Sequence, residues 1–216
     1  MKKFLLFSNI FLHLPFAMAI EEPAYKVIST SGKFEIRQYA PYLIAQTWVE
    51  GDMDDAGSQG FRRIADFIFG NNQLPNGQTS SKIAMTAPVT MEPQSAKIAM
   101  TAPVAMEPSD NTFGIKTAQR WRVQFAMPRQ YTLANIPQPK NPAVTLAEVQ
   151  EKFVAVHSYS GFNTLQRVQD KTDELLKWIK SSSLVAKSSA QLARYDPPWT
   201  LPMWRRNEIM VEIEAP

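Results

Sequence analysis

The chain has 216 residues, with 23 lysines and arginines against 20 aspartates and glutamates, two histidines and no cysteine. Because cysteine is missing, thiolate nucleophiles, iron–sulfur clusters and disulfide bonds are excluded, and the hydrophobic core must hold the fold together. Two of the 23 basic residues lie in the first three positions, which leaves 21 basic and 20 acidic residues and no run of lysines or arginines. This near-neutral balance gives no indication of a nucleic-acid-binding surface.

The first 19 residues are typical of a secretion signal. Lys2 and Lys3 form a basic start, an apolar run follows, and the small residues Ala17 and Ala19 form a cleavage site. Polar residues and a proline interrupt the run, which is shorter than the roughly 20 residues that a membrane-spanning helix needs. We therefore predict cleavage before Ile20 and a periplasmic or secreted protein without an integral membrane segment. An uncleaved anchor is the alternative.

The first half of the remaining chain begins with strands and continues with a helix. Apolar and β-branched runs separated by turn signals predict strands over residues 25–28, 33–39 and 42–49. A helical pattern over residues 54–70 follows, and Gly70-Asn71-Asn72 is suited to ending it. The spacing of its apolar residues predicts that one face is buried, and this stripe consists of Phe61, Ile64, Ala65 and Ile68.

The second half repeats this pattern. Strands are predicted over residues 121–127, 153–159 and 208–214, and the last of these alternates isoleucine and valine with glutamate and methionine. Between them lies a helix that Asn163 or Thr164 can cap. Its apolar stripe is Leu165, Val168, Thr172, Leu175, Leu176 and Ile179. The proline-rich residues 131–144 predict an ordered, extended loop, and the whole describes an α+β domain with an internal pseudo-repeat.

The chain offers little for catalysis. After residue 19 it contains one histidine, His157, so a Ser–His–acid triad or a histidine-based zinc site would depend on that residue alone. Adjacent carboxylates such as Asp54 and Asp55 lie in predicted helical turns, where solvated partners of the helix dipole are more typical than an acid–base pair. We therefore predict that the protein is not an enzyme.

Methionine and tryptophan residues are concentrated in two segments. Residues 82–89 recur letter for letter at residues 97–104, and their alternating pattern predicts two strands that pair as a hairpin through a turn in residues 90–96. Met85 and Met100 are equivalent positions of the two copies. Together with Trp199 and Trp204 in a second proline-rich segment, these methionines favour a groove for a flat apolar ligand.

Longer stretches carry a resemblance to a known family. The segments KIAMTAPV, WRVQFAMPRQYTL and ARYDPPWTLPMWRRNEIMVEI, in this order, resemble the SOUL haem-binding protein family in its bacterial, exported branch. The resemblance implies one domain over residues 20–216. It also implies a distorted antiparallel β-barrel of two pseudo-symmetric halves, each with a long helix, similar to the effector-binding domains of bacterial multidrug regulators. Either copy of the octapeptide can hold the family's usual position.

The resemblance also implies a ligand and a site. Family members bind haem or another tetrapyrrole non-covalently, without turnover, in a shallow apolar cleft beside the first helix. Carried over to this chain, the contacting residues are Phe61, Arg62, Ala65, Ile68, Met85 and Met100. Two other functions stay open: an enzyme acting on a tetrapyrrole or another apolar small molecule, and an interaction module without a ligand.

The metal ligand is left open by the sequence. His157 is the one histidine after residue 19, so it is the one imidazole that could bind haem iron. Its strand lies in the second half of the chain, away from the first helix. A methionine, Met85 or Met100, or a water molecule is the alternative.

Overall fold

The computed structural model describes residues 20–75, 80–94 and 118–216. The first half contains β1 (Tyr25–Ser31), β2 (Phe34–Tyr39), β3 (Tyr42–Glu50), α1 (Met53–Ile68), β4 (Asn72–Gln73) and β5 (Val89–Pro93). The second half contains β6 (Arg120–Ala126), β7 (Gln138–Pro139), β8 (Thr145–Val149), β9 (Lys152–Tyr159), α2 (Leu165–Ser181), β10 (Gln191–Arg194) and β11 (Asn207–Ile213). Neither helix of these residues is long and apolar enough to cross a membrane.

Nine strands form one curled antiparallel sheet in the order β1-β2-β9-β11-β10-β5-β6-β3-β8. In chain order, β2, β3, α1, β5 and β6 correspond to β8, β9, α2, β10 and β11. The strand order of one half repeats that of the other in reverse on the two sides of the β5–β10 pair. The first strand of each half pairs with a strand of the other half, since β2 pairs with β9 and β8 pairs with β3. The predicted α+β class and the two pseudo-symmetric halves are therefore confirmed.

Helix α1 forms where its apolar stripe predicts it, and Asp52 caps its start. The Asp52 side chain accepts hydrogen bonds from the backbone N–H groups of Asp54 and Asp55, at 3.0 and 2.9 Å, which satisfies donors of the first turn. Ile64, Ala65, Phe67 and Ile68 are buried, whereas Phe61 of the predicted stripe is 39% exposed. The helix packs closely on β6, because a Cβ atom at Gly60 would lie 2.4 Å from the side chain of Val123.

Helix α2 also agrees with its prediction. Of the two candidate caps, Thr164 fills the role, since its hydroxyl accepts a hydrogen bond from the backbone N–H of Arg167 at 3.3 Å. Asn163 instead donates to the Asn207 side chain at 2.7 Å. The buried residues of the helix are Val168, Thr172, Leu175 and Ile179. They join the α1 residues in one hydrophobic core, so both helices cover the same face of the sheet.

The strand predicted for the first copy of the octapeptide is wrong. Residues 82–88 form no strand, and β5 begins only at Val89 and continues through the predicted turn. The alternation fails because Thr86 is buried, with its hydroxyl donating to the carbonyl of Ala126, whereas Met85 is 39% exposed. The second copy, residues 97–104, lies outside the described residues, and the predicted pairing of the two copies is untested.

The ordered connector over residues 131–144 is confirmed. Within it, β7 pairs with β4, and Ile136 and Val144 are buried in the core. A connector that buries two apolar side chains and pairs with a second segment is part of the domain, but its backbone turns at residues 133–135 and 142–143 and is not extended throughout as predicted.

Glu208 is buried although it alternates with isoleucine and valine along β11. Strand β11 lies in the middle of the sheet, between β9 and β10, and both of its faces are covered. The Glu208 carboxylate is fully buried and accepts two hydrogen bonds from the Arg37 guanidinium, at 2.9 and 3.0 Å. It also accepts from the hydroxyls of Tyr195, at 2.6 Å, and Ser158, at 3.2 Å, and from Nε of Arg206, at 3.1 Å.

Candidate functional site

The two helices cover neighbouring parts of the sheet, on either side of the β5–β10 pair. Helix α1 packs on β3 and β6, and α2 packs on β9 and β11, so β5 and β10 lie between the two contact areas. We call this region the interhelix cleft and define it by Gly57 and Phe61 of α1, Met91 of β5, Arg194 of β10 and Tyr159 of β9. It lies on the pseudo-twofold axis that relates the two halves.

One stripe of α1 faces this cleft. A Cβ atom at Gly57 would lie 3.0 Å from the Met91 sulfur and 4.0 Å from Nη1 of Arg194, so this part of the helix adjoins β5 and β10 directly. Phe61 and Ala65 follow Gly57 at intervals of four residues and share its face. The Phe61 ring lies 5.4 Å from the ring of Phe125 and stays 39% exposed, which gives the cleft an aromatic wall.

The first copy of the octapeptide runs beside the end of α1. The backbone N–H of Ile83 donates to the carbonyl of Ile68 at 2.8 Å, and Met85 lies two residues further on. Of the predicted ligand contacts, the structure thus groups Phe61, Ala65, Ile68 and Met85 around α1. Ile68 is buried in the hydrophobic core. Arg62 is exposed on the same helix, and Met100 lies outside the described residues.

Arg194 is the cation of the cleft, and the sequence analysis missed it. Its Nη2 lies 3.7 Å from the carboxylate of Asp54, and its Nε is buried without a hydrogen-bond partner among the described residues. Burial lowers the pKa of Arg194, and the charge of Asp54 only partly opposes this effect. A guanidinium in this state gains from a second carboxylate. A single arginine carries no pattern in a sequence, so no signal there could have identified it.

A loop rich in exposed apolar side chains extends from the end of β10. Residues 195–206 contain a 3₁₀ turn at Pro202–Trp204, and Trp199 and Trp204 are 83% and 72% exposed. Arg205 holds the loop in shape by donating to the carbonyls of Thr200, at 2.8 Å, and Pro198. The loop follows Arg194 directly, so its apolar surface starts at the end of the interhelix cleft.

His157 lies in the core beneath α2, which answers a question that the sequence left open. Its ring is 1% exposed and lies 4.7 Å from the Phe34 ring, and its Nδ1 is 3.4 Å from the carbonyl of Lys171. Burial lowers the pKa of His157, although the Lys171 carbonyl and Glu174 act in the opposite direction. A neutral, enclosed imidazole of this kind does not reach a ligand in the interhelix cleft.

A second groove lies elsewhere on the surface. Its volume is 560 Å³, and its lining includes Glu21, Tyr42, Arg129, Leu133 and Glu148. The charges are partly paired, since Glu21 accepts hydrogen bonds from Arg129. None of the predicted ligand contacts that the structure describes lines this groove, although Thr86, next to Met85, does, and the groove therefore supplies positions for control variants.

Comparisons with known proteins agree with the described fold. The family model described as "SOUL heme-binding protein" matches residues 20–212. Human "Heme-binding protein 2" is 29% identical over 201 residues, covering 89% of this chain and 86% of that protein. The mouse protein of the same name is 28% identical over 199 residues, covering 88% of this chain and 85% of its own length.

Solved structures show the same fold at low sequence identity. The C-terminal domain of EcmrR superposes with a TM-score of 0.55 at 9% identity, over 89% of this chain and 99% of that domain. A structure described as a hydrolase from Listeria innocua gives a TM-score of 0.51 at 12% identity, over 86% of this chain and 94% of its own. At these identities the likeness concerns the fold alone.

Proposed function

Because this chain belongs to the SOUL haem-binding protein family, we propose that it binds haem non-covalently in the interhelix cleft and releases it unchanged. The observation that carries this proposal is the combination of exposed apolar side chains with one under-paired cation. Phe61 presents exposed apolar surface on the face of α1 that adjoins Arg194, and the loop that follows Arg194 in the chain exposes Trp199 and Trp204. Haem combines a flat apolar ring with two carboxylates, so its chemistry matches both parts.

The propionates define the orientation of the ligand. The Arg194 side chain is 33% exposed, and the exposed part of its guanidinium can donate to a carboxylate. Arg62, which is exposed next to Phe61 on α1, is the second proposed partner for a propionate. Both cations adjoin the aromatic wall, so the ring can stay against Phe61 while its carboxylates remain near water.

Met85 is a described residue that could hold the iron of haem. Met85 is 39% exposed beside α1, and a thioether sulfur is an established haem ligand. Met100 is its equivalent in the second copy of the octapeptide. Haem would supply the chromophore through its porphyrin ring and a metal that can take a further ligand, whereas the residues described above would bind the ring and exclude part of the water.

Titration of haemin into the protein that begins at Ile20 tests this proposal. We expect a saturable Soret band at one equivalent, and we expect that haem extracted after long incubation with a reductant and oxygen has an unchanged mass. Conversion of the haem would instead indicate an enzyme. A titration without a saturable band would overturn the proposal. It would favour the alternative that the protein is an interaction module without a ligand.

A substitution on the aromatic wall localises the binding. Phe61→Glu places a charge against the apolar ring, and we expect haemin affinity to fall by about tenfold or more, because the lost apolar burial amounts to roughly 1.5 kcal/mol. Leu133→Glu is the matched control, since Leu133 is also an exposed apolar residue but lines the second groove. Equal losses in the two variants would contradict the location.

Removal of the imidazole should leave haem binding intact. His157→Ala eliminates a side chain that is enclosed beneath α2, and we expect a Soret maximum close to that of the parent with an affinity within about threefold. The free energy of unfolding should fall, since the substitution leaves a cavity. Loss of most haemin affinity in a variant that is still folded, with a shift towards a five-coordinate spectrum, would identify His157 as the axial ligand.

We also propose that the protein is exported. The basic and apolar pattern of residues 1–19 supports this, as does the family match that starts at residue 20. We expect mass spectrometry of the exported protein to give an N-terminus at Ile20. An exported protein that retains residues 1–19 would contradict cleavage.

A further inference from the structure

Exposed apolar side chains of the loop after β10 form one patch with Phe162, which precedes α2. Its five members are each 50% exposed or more, and we call them the tryptophan patch: Phe162, Trp199, Leu201, Met203 and Trp204. Arg205 links the two parts, because its guanidinium carbon lies 5.4 Å from the centre of the Phe162 ring while its Nε donates to the carbonyl of Thr200 at 2.8 Å. Single exposed apolar side chains are ordinary, but a contiguous group of this kind marks an interaction surface.

The loop that carries the patch is held in one shape. Prolines at positions 197, 198 and 202 restrict its backbone. At its base, the backbone N–H of Tyr195 donates to the carbonyl of Arg206 at 3.3 Å, and the Asp196 carboxylate accepts from the N–H of Arg206 at 2.6 Å. A loop that is fixed in this way keeps the rings of Trp199 and Trp204 outward and available to a partner.

Many polar backbone groups of the loop are satisfied inside it. Its three prolines carry no N–H, and three further N–H groups donate to carbonyls of the loop at 2.9–3.2 Å: those of Thr200, Trp204 and Arg205. The Arg205 side chain also donates to the carbonyls of Thr200 and Pro198. Lipid offers no hydrogen-bond partners, so a segment that enters it must satisfy its own backbone. This internal bonding therefore favours lipid over water-rich protein contacts as the environment of the patch.

Positive charges lie at the base of the patch and not at its tip. Residues 197–204 contain no charged side chain, and Arg205 follows directly. Arg167 packs against the residue before Phe162, since a Cβ atom at Gly161 would be 3.2 Å from its guanidinium carbon. Neither arginine forms an ion pair with a carboxylate of the described residues. Tryptophan is typical of the headgroup level of a bilayer, and cations near the surface attract anionic lipids.

We propose that the tryptophan patch docks this protein onto the surface of a lipid bilayer that contains anionic lipids. The patch enters the boundary between headgroups and acyl chains, which an interfacial segment reaches without spanning the membrane. Arg167 and Arg205 then lie at the level of the lipid phosphates. The proposal does not rest on haem binding, and it is tested without haemin.

Flotation with vesicles of phosphatidylcholine and phosphatidylglycerol tests the docking. We expect the protein that begins at Ile20 to float with these vesicles. Leu201→Glu should weaken the binding by about tenfold or more, because a charge replaces an apolar side chain that enters the lipid. Val185→Glu is the matched control and should stay within about threefold of the wild type. Val185 is 53% exposed, against 50% for Leu201, and lies beyond the opposite end of α2 from Phe162.

A second pair of variants tests the contribution of charge. Arg167→Gln should weaken binding to the same vesicles by about fivefold, because a cation near an anionic surface is attracted to it. Lys180→Gln is the control, since Lys180 is an exposed cation in the last turn of α2, away from the patch. Equal losses in the two variants would mean that the net charge of the protein, and not the patch, attracts the vesicles.

Fluorescence quenching by lipids with brominated acyl chains identifies the side chains that enter the bilayer. The chain has five tryptophans, and Trp121 is fully enclosed. We expect quenching in the wild type. Trp199→Phe combined with Trp204→Phe should still bind, because the rings stay apolar, but should lose the quenching. Quenching that persists in this double variant would show that another face or an unfolded form of the protein enters the lipid.

Wild-type protein that does not float with the vesicles would overturn the proposal, as would equal losses of affinity in Leu201→Glu and Val185→Glu. Sedimentation equilibrium without vesicles tests another occupant of the patch. A dimer that Leu201→Glu dissociates, in a protein that does not bind vesicles, would assign the patch to a second copy of this chain. These outcomes leave the haem proposal untouched, because the haemin titration decides it separately.

Discussion

Glu208→Gln is expected to lower the free energy of unfolding by about 3–5 kcal/mol, because it removes the buried carboxylate that pairs with Arg37 and leaves that buried charge with the partly exposed Glu35 alone. The carboxylate is fully buried and takes two hydrogen bonds from Arg37, one from Tyr195 and one from Arg206. These contacts link β2, β11 and both ends of the loop that bears Trp199 and Trp204. Urea unfolding followed by circular dichroism measures the loss.

The pH dependence gives the same prediction a second readout. Burial alone would raise the pKa of Glu208, but its hydrogen bonds and charge interaction with Arg37 lower it below the ordinary value of 4.5. A carboxylate with a lowered pKa in the folded state stabilises fully above its unfolded pKa, and this stabilisation is lost as the pH falls below that value. The difference between wild type and Glu208→Gln should therefore shrink below pH 4.5.

Glu21→Gln is the control, because the Glu21–Arg129 pair is exposed and such pairs contribute at most about 1 kcal/mol. Replacement of both buried partners, as Arg37→Met with Glu208→Leu, should recover much of the lost stability, since neither charge is then left unpaired. A loss for Glu208→Gln as small as that for Glu21→Gln would show that the buried network does not hold the sheet together.

Arg194→Gln is expected to weaken haemin binding by about tenfold, which corresponds to about 1.4 kcal/mol, the size of one hydrogen bond to a charged group. The guanidinium has a single carboxylate neighbour, the exposed Asp54, at 3.7 Å, so the stability of the protein should change little. Titrations that follow the Soret band measure the affinity.

The dimethyl ester of haemin separates a propionate contact from a general effect on the cleft. The ester lacks the carboxylates, so Arg194→Gln should bind it as well as the wild type does. Arg129→Gln controls for charge, since Arg129 lies in the second groove. An equal loss of affinity for haemin and for its ester would mean that Arg194 does not contact a propionate.

The helices could be predicted from the sequence because their signals are local. The periodic apolar residues of α1 and the cap at Asp52 lie within one short stretch, as do Thr164 and the stripe of α2. The strands β5 and β10 could not, since their formation depends on partners far along the chain. Val89–Pro93 is a strand because β6 and β10 lie on either side of it, not because its own pattern alternates.

The burial of the charged residues in the interior could not be predicted from the sequence for the same reason. Glu208 alternates with isoleucine and valine as a solvent-facing residue does, but the central place of β11 buries both faces of that strand. The compensating Arg37 lies 171 residues away. The predicted contacts Phe61, Ala65 and Ile68 lie on α1, whereas Arg194 became visible only when the fold placed it beside Gly57 and Asp54.

The position of the iron in a crystal of the haemin complex tests the central claim most directly. We expect the anomalous scattering peak of iron in the interhelix cleft, between Phe61 and the loop of residues 195–206, with a propionate on Arg194. A peak in the second groove, near Leu133 and Arg129, would contradict this account of where the protein binds haem.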